Sequence, residues 1–366
     1  MKISIIKERL EGERRVILTP EQTGELVSKG FEVFVENGAG DGCGFDNIQY
    51  KKEGAVCCST DETWNASDYI FKYKAPMESE YKYFRKGLTI CALFHAEGNE
   101  RLVKEMECKE VSAFTYEFLR TDDGIFPLAL SGGEIAGKSA VIHGAYLLQN
   151  QFGGKGKILA GIHGAEKTTV GVIGYGNVGS AAIKLASDMG ARVIVFGRNI
   201  AKLKKVSLSF DADIQFLEST VKNYEKYLPQ IDLLIGAILI STYDTPPLLT
   251  EELIGLMQKG SVVVDVTCGY GSGYMPTIKH TTTLNHPSYI DNGIVYCKID
   301  NLPSAFPLTT VEAYSKNAFP YIAKMIQEFK DGELTSMTKS CQILDRGKIV
   351  HEIIRQHMRF YDKDRI

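Results

Sequence analysis

The stretch that most restricts what this chain can fold into is Val170-Gly-Val-Ile-Gly174-Tyr-Gly176-Asn177-Val178-Gly179. It sets G-x-G-x-x-G directly after an apolar segment and opens SAAIKLASDMG, a helical pattern closed by Gly190. Gly174 permits the tight turn, Gly176 lets a pyrophosphate approach the main chain, and Gly179 allows close packing of helix on strand. Glycines in this spacing are a weak signal alone; between a strand and a helix they predict a dinucleotide site at Gly174, Gly176, Asn177, Val178 and Gly179. The following strand, ARVIVF, ends on Gly197-Arg198-Asn199, where an NAD enzyme offers a carboxylate to the ribose. A guanidinium and an amide donor without a carboxylate favour a 2′-phosphate, so NADPH is expected, with NADH the alternative. The plainer alternative for Arg198 is a solvated surface turn.

Apolar runs on both sides of that motif predict an α/β chain of two doubly wound, Rossmann-like domains. In the first part, KISIIKE, FEVFVEN, YIFKYKA, LTICALF and VSAFTYEFL read as strands. A helix between the first two opens on Thr19-Pro20, with Gln22 completing a capping box. A helical pattern from Glu134 to Phe152 is expected to link the domains. Strands follow near 170–174, 191–196, 231–238, 261–267 and 293–300, their continuous apolar runs suiting a sheet covered on both faces. After Pro307 a further helical pattern, TVEAYSKNAFPYIAKMIQEF, is expected to rejoin the first domain. The expected boundaries are 1–133, 134–307 and 308–366. A chain of 366 residues with 44% hydrophobic residues has the material for two cores.

The formal charge of -3 gives no electrostatic case for nucleic acid or an anionic membrane surface. The start, MKISIIKERLEGERR, lacks a signal-peptide apolar core, and LLIGAILI is too short to span a bilayer. A cytoplasmic protein is therefore expected. The eight cysteines show no C-x-x-C and no ligand-like spacing with histidine, so neither a metal nor a disulfide framework is expected.

Ligands of open α/β sheets bind beyond the carboxyl ends of the strands, and three cationic candidates stand there. Arg15 follows the first strand, Lys74 ends YIFKYKA, and His95 follows LTICALF. Each has an ordinary alternative: a surface ion pair, a solvated edge and a hydrogen-bonded loop histidine. Together they suit a 2-oxo acid. Arg15 can grip its carboxylate with two parallel hydrogen bonds, and Lys74 can stabilise charge developing on its carbonyl oxygen. His95, with an ordinary pKa near neutrality, can move protons on a carbinolamine and imine.

The segments GERRVILTP, KYKAP, ALFHAEG, EIAGKSAV, VGVIGYGNVGSAA, VVVDV and NLPSAFP resemble, in order and spacing, the alanine dehydrogenase and soluble transhydrogenase-domain family. The resemblance implies a dinucleotide domain inserted into a discontinuous substrate domain, and a homo-oligomer. It also implies substrate-carboxylate binding by Arg15 and catalytic roles for Lys74 and His95. Two departures stand out. Gly269 occupies the place of a catalytic Asp, and Gly132-Gly133 the place of Met-Ser, which removes side chains where a second reactant can fit. Two relatives similar to this family suggest such a reactant: carboxyethylornithine synthase shares the GERRV start and uses NADPH. Saccharopine dehydrogenase has a segment like Asp300-Asn301-Leu302-Pro303-Ser304. Gly132, Gly269 and Asn301 are thus the remaining candidates at the substrate. The expected function is reductive amination of a pyruvate-like 2-oxo acid, with ammonia or an amino acid such as ornithine or lysine as the amine. The competing expectation is a nucleotide-binding regulator or transhydrogenase-like subunit without turnover.

Overall fold

A computed structural model describes residues 1–210, 214–238, 247–267 and 274–361. They form two compact units, Met1–Ser131 with Phe306–Ile366, and Gly132–Ala305. In chain order the second is inserted into the first.

The first unit is built on β1 (Lys2–Ile5), β2 (Glu32–Glu36), β3 (Val56–Cys58), β4 (Tyr69–Lys74), β5 (Thr89–Leu93) and β6 (Ser112–Thr115). The second contains β7 (Thr169–Ile173), β8 (Arg192–Gly197), β9 (Gln215–Glu218), β10 (Leu233–Gly236), β11 (Val262–Asp265), β12 (Tyr289–Asp291) and β13 (Ile294–Cys297). The chain then adds β14 (Gln342–Asp345) and β15 (Lys348–Ile349) to the first sheet. The first sheet runs β15-β14-β6-β5-β4-β1-β2-β3 and the second β12-β13-β11-β10-β7-β8-β9. Among the described strands the antiparallel pairings are β12 with β13, β14 with β6 and β15 with β14, each at one end of its sheet. Both sheets reverse their winding beside their first strand, between β1 and β4 and between β7 and β10, which is the doubly wound pattern.

The continuous apolar runs are explained by two-sided burial. In the second unit Val170, Val172, Val193, Val195, Leu233, Ile235, Val262 and Val264 enter one core. The alternating residues Ile173, Ile194, Phe196, Leu234 and Val263 enter the core on the opposite face. In the first unit the helix Phe319–Asp331 packs Ile322, Met325 and Ile326 against Ile3, Ile5, Val33 and Phe71. The helix Glu100–Cys108 covers the other face through Leu102, Val103 and Met106.

The helix expected from Glu134 to Phe152 runs instead from Pro127 to Leu147. Proline at the first helical position donates no N–H and is readily accepted there, so the helix begins earlier. The single pattern expected after Pro307 is two helices, Pro307–Asn317 and Phe319–Asp331, because Pro320 cannot continue a helical hydrogen-bond ladder. The capping box at Thr19 is present, with Gln22 Oε1 accepting from the Thr19 N–H. Among the described residues the cysteines are free thiols, no side-chain cluster is suited to a metal, and no helix is long and apolar enough to cross a membrane.

Candidate active site and dinucleotide cradle

The three expected cations of the first unit meet. β4 and β5 are parallel neighbours, so residues at their carboxyl ends are brought side by side. Lys74 Nζ lies 3.2 Å from His95 Nε2. An ammonium only donates, so Nε2 accepts and the ring carries its proton on Nδ1. His95 holds a left-handed backbone, φ 45°, which is uncommon for a residue with a Cβ, and its N–H donates to Glu117 Oε1 at 2.7 Å. Burial, followed by the charges of Lys74 and Arg15, pushes His95 down to about 3. This corrects the expectation of a histidine near neutrality: a ring buried among cations cannot hold a second proton at pH 7.

Arg15 is buried, yet its fork is not open. Glu13 accepts from its Nε at 2.6 Å and from its Nη2 at 2.5 Å, while its Nη1 donates to the Tyr73 hydroxyl at 3.2 Å. The guanidinium stacks on the Tyr73 ring, 4.0 Å from its centroid. Burial works against the Glu13 charge, but the hydrogen bonds and charge of Arg15 hold it below the usual carboxylate range. Glu13 occupies the Nε edge, so a substrate carboxylate has only the end of the fork for the expected two hydrogen bonds. Nη1 and Nη2 each retain one further N–H at the end of the fork. The Arg15 pairing was legible in GERRV, because residues two apart in an extended segment project to the same side. Tyr73, Glu117 and Glu8 had no comparable signal.

In the second unit each glycine of the loop has a distinct reason. Gly174 has φ 101°, and a Cβ there would lie 2.4 Å from the Ala237 carbonyl oxygen. A Cβ on Gly179 would come within 2.2 Å of the Gly174 carbonyl oxygen. Gly176, by contrast, is exposed, and its Cβ would meet no described atom within 4 Å. Gly176 also stands at the N-cap of the helix Asn177–Asp188 without a side-chain cap, so the first-turn N–H groups are not closed off by the protein's own N-cap. Open space in front of an uncapped helix terminus fits a dinucleotide pyrophosphate. Asn177 is exposed at this end, whereas Val178 is half-buried and lies close to Gly133.

At the ribose end Arg198 is exposed. Gly197 is glycine because Tyr175 lies against it: a Cβ would be 2.1 Å from the Tyr175 ring, whose hydroxyl donates to the Asn199 carbonyl at 3.1 Å. Asn199 Oδ1 caps the next helix, Ile200–Ser207, by accepting from Lys202 N, leaving only its amide N–H groups for a ligand. Gly133 was read together with Gly132 as lost bulk, and this is corrected for Gly133. Its Cβ would press on Asn177 Cβ at 3.1 Å, whereas that of Gly132 meets no described atom within 4 Å. Asn301, beyond β13, has a buried Nδ2 with no hydrogen-bond partner among the described residues. Such a donor is normally matched by a protein group, water or ligand. Gly269 lies outside the described residues.

Comparisons with known proteins agree over most of the chain. Residues 4–136 match the model of the alanine dehydrogenase/PNT N-terminal domain, and residues 140–355 that of the C-terminal domain. The chain is 37% identical over 322 residues to alanine dehydrogenase of Bacillus subtilis (strain 168), covering 88% of this chain and 84% of that protein. Alanine dehydrogenase 2 of Staphylococcus aureus (strain USA300) is 35% identical, covering 88% of this chain and 86% of its own. A solved L-alanine dehydrogenase superposes with a TM-score of 0.89 at 30% identity, covering 98% of this chain and 99% of that one. A transhydrogenase from Sinorhizobium meliloti shares the fold, with a TM-score of 0.78 at 24% identity over 96% of this chain and 99% of its own. With both domain models matched in order around a glycine cradle and a buried lysine–histidine pair, the chain belongs to the alanine dehydrogenase/PNT family.

Proposed function

We propose that this protein is a nicotinamide-dependent amino acid dehydrogenase that reductively aminates a small 2-oxo acid of the pyruvate type. The observation that carries the reading is the Lys74–His95 contact of 3.2 Å beside the buried Arg15, in a chain whose relatives are named alanine dehydrogenases. A bound nicotinamide supplies the hydride. The end of the Arg15 guanidinium holds the substrate carboxylate, and Lys74 donates to the carbonyl oxygen, making its carbon more electrophilic. As the amine adds to the carbonyl carbon, Lys74 gives its proton to the oxygen, and the ring of His95, no longer opposed by the Lys74 charge, takes a proton from the nitrogen to leave a neutral carbinolamine. His95 then returns that proton to the departing hydroxyl, so that water leaves and an iminium is formed for the hydride.

NADPH is the proposed cofactor, from Gly197-Arg198-Asn199, and the working form is proposed to be a homo-oligomer. The amine is ammonia or an amino acid such as ornithine or lysine; the opine-type option is favoured by the space at Gly132. The deciding experiment crosses several 2-oxo acids with ammonia, ornithine and lysine, with NADPH and NADH compared throughout. Cofactor consumption that requires both an oxo acid and an amine supports the dehydrogenase reading. Binding without consumption under every combination leaves a nucleotide-sensing regulator. Lys74→Ala and His95→Ala are expected to lower turnover by about 10²–10⁴-fold, the usual share of a positioned acid or base, with dinucleotide affinity kept.

A further inference from the structure

β4 is the strand that carries Lys74, and its last residues lack a regular neighbour on one side. β1 pairs with it at Ser4↔Ile70 and Ile5↔Phe71, and Ile6 N still donates to the Phe71 carbonyl at 3.2 Å. Beyond that point the chain of β1 leaves the sheet. The side chain of Glu8 returns in its place: Oε1 accepts from Tyr73 N at 2.7 Å and Oε2 from Lys74 N at 3.2 Å. In a regular strand successive N–H groups point to opposite sides, so two converging on one carboxylate require an irregular main chain. The pairing of β4 with β5 records that irregularity, its register shifting between Phe71 and Lys74.

Glu8 is itself held. Lys72, with no exposed surface, places Nζ 3.7 Å from Glu8 Oε2 and 2.9 Å from Glu80 Oε1, and it also donates to the Lys7 carbonyl at 3.3 Å. Glu80 in turn accepts from Met77 N at 2.8 Å. A buried carboxylate, a buried ammonium and a second carboxylate thus form a connected polar strut that ends on the main chain of Lys74. Buried charges of this kind are tolerated when each is paired and hydrogen-bonded.

Resting on the dehydrogenase reading above, we propose that Glu8 is the positioning residue of the lysine: its carboxylate stands in for the missing strand neighbour and fixes the Lys74 main chain so that Nζ meets His95. Glu8 touches no reacting atom. It acts through the placement of Lys74, where a shift of about 1 Å is enough to cost about a hundredfold in rate. The groups bearing on its charge are Lys72 of β4, Glu80 of the turn Glu78–Tyr83, Glu13 and Arg15 of the loop after β1, and Tyr116 after β6. Burial outweighs Lys72 and pushes the Glu8 carboxyl up to about 7. Protonation turns one of its acceptor oxygens into a hydroxyl and releases one of the two main-chain N–H groups. Turnover therefore falls as pH drops through about 7.

The test compares wild type, Glu8→Gln, Glu8→Asp, Glu117→Gln and Lys74→Ala as full-length protein, reading kcat, the KM for dinucleotide and the pH profile. Glu117 is included because its carboxyl is also pushed up to about 7. Glu8→Gln is expected to lower kcat by about tenfold to hundredfold with an unchanged dinucleotide KM, and to remove the acid limb near neutrality. Glu8→Asp, which keeps the charge on a shorter arm, should recover part of kcat and retain a limb, and it carries the test if Glu8→Gln does not fold. Glu117→Gln should keep the limb. Wild-type kcat and an intact limb in the Glu8 variants, or loss of the limb in Glu117→Gln alone, overturns the positioning role. Turnover by Lys74→Ala instead sinks the catalytic reading on which it rests.

Discussion

Gly197 and Tyr175 show how one residue's identity is set by another's bulk. An acidic residue at position 197 would offer the ribose a carboxylate, but its Cβ would fall 2.1 Å from the Tyr175 ring. The usual single change for converting cofactor preference is thereby closed. Gly197→Asp alone is expected to lower affinity for both dinucleotides, because Tyr175 must leave its place against the loop. Gly197→Asp combined with Tyr175→Ala should bind NADH better than the single variant does. Arg198→Ala should weaken NADPH selectively, by about ten- to hundredfold if a charge-assisted phosphate contact is lost. Titration of both dinucleotides into the four proteins, wild type included, decides it; equal NADH and NADPH affinity in wild type sinks the cofactor assignment.

At the scale of elements, the cradle depends on how closely the helix Pro127–Leu147 approaches the helix Asn177–Asp188. A Cβ on Gly137 would stand 2.1 Å from the Val178 carbonyl oxygen and 3.0 Å from Ala181 Cβ. Gly137→Ala must therefore push the helices apart at the first turn that faces the pyrophosphate. A loss of about 1–3 kcal/mol in stability is expected, the usual cost of overpacking, together with weaker dinucleotide binding. Gly132→Ala, on the same helix with no described neighbour within 4 Å, should be neutral or gain up to about 1 kcal/mol from helix propensity. Thermal melts with and without dinucleotide separate the two. If Gly137→Ala binds as wild type, the close approach is not what shapes the cradle.

The molecule as a whole carries its site on buried ionisable groups, which links stability to pH. Glu117 is pushed by burial, with Glu97 adding to it, from 4.5 to about 7. Its contribution is fully present below 4.5, where both folded and unfolded chains hold the proton, and is lost as pH rises through about 7. Glu8 contributes with the same sign. His95, lowered to about 3, works oppositely: its contribution is present above the ordinary histidine value and is lost as pH falls toward 3. Glu117→Gln keeps an acceptor for His95 N–H but has no proton to lose. Relative to wild type it should gain on the order of 2–3 kcal/mol between pH 5 and pH 8. Trp64, the single tryptophan, is buried in the same unit and reports the denaturation midpoints. An unchanged difference between the two pH values would place the Glu117 proton elsewhere.

Much of this was written locally in the chain. The glycine loop, the alternating burial of the strands, the Thr19 capping box and the cations at strand ends depend on residues a few positions apart, and sequence spacing reports such relations directly. Even the Glu13–Arg15 pair lay within reach of that reasoning. The short strands β3, β9, β12, β14 and β15 did not, because two to four residues carry too little periodicity and exist only when a longer neighbour supplies their hydrogen bonds. What the tertiary structure alone decided are the couplings across long separations: Glu8 on the main chain of Lys74, Lys74 on His95, and Tyr175 on Gly197. The protonation state of His95 belongs with them. A pKa is set by how much water is excluded and which charges stand nearby, and both are sums over segments that meet only after the sheet has formed.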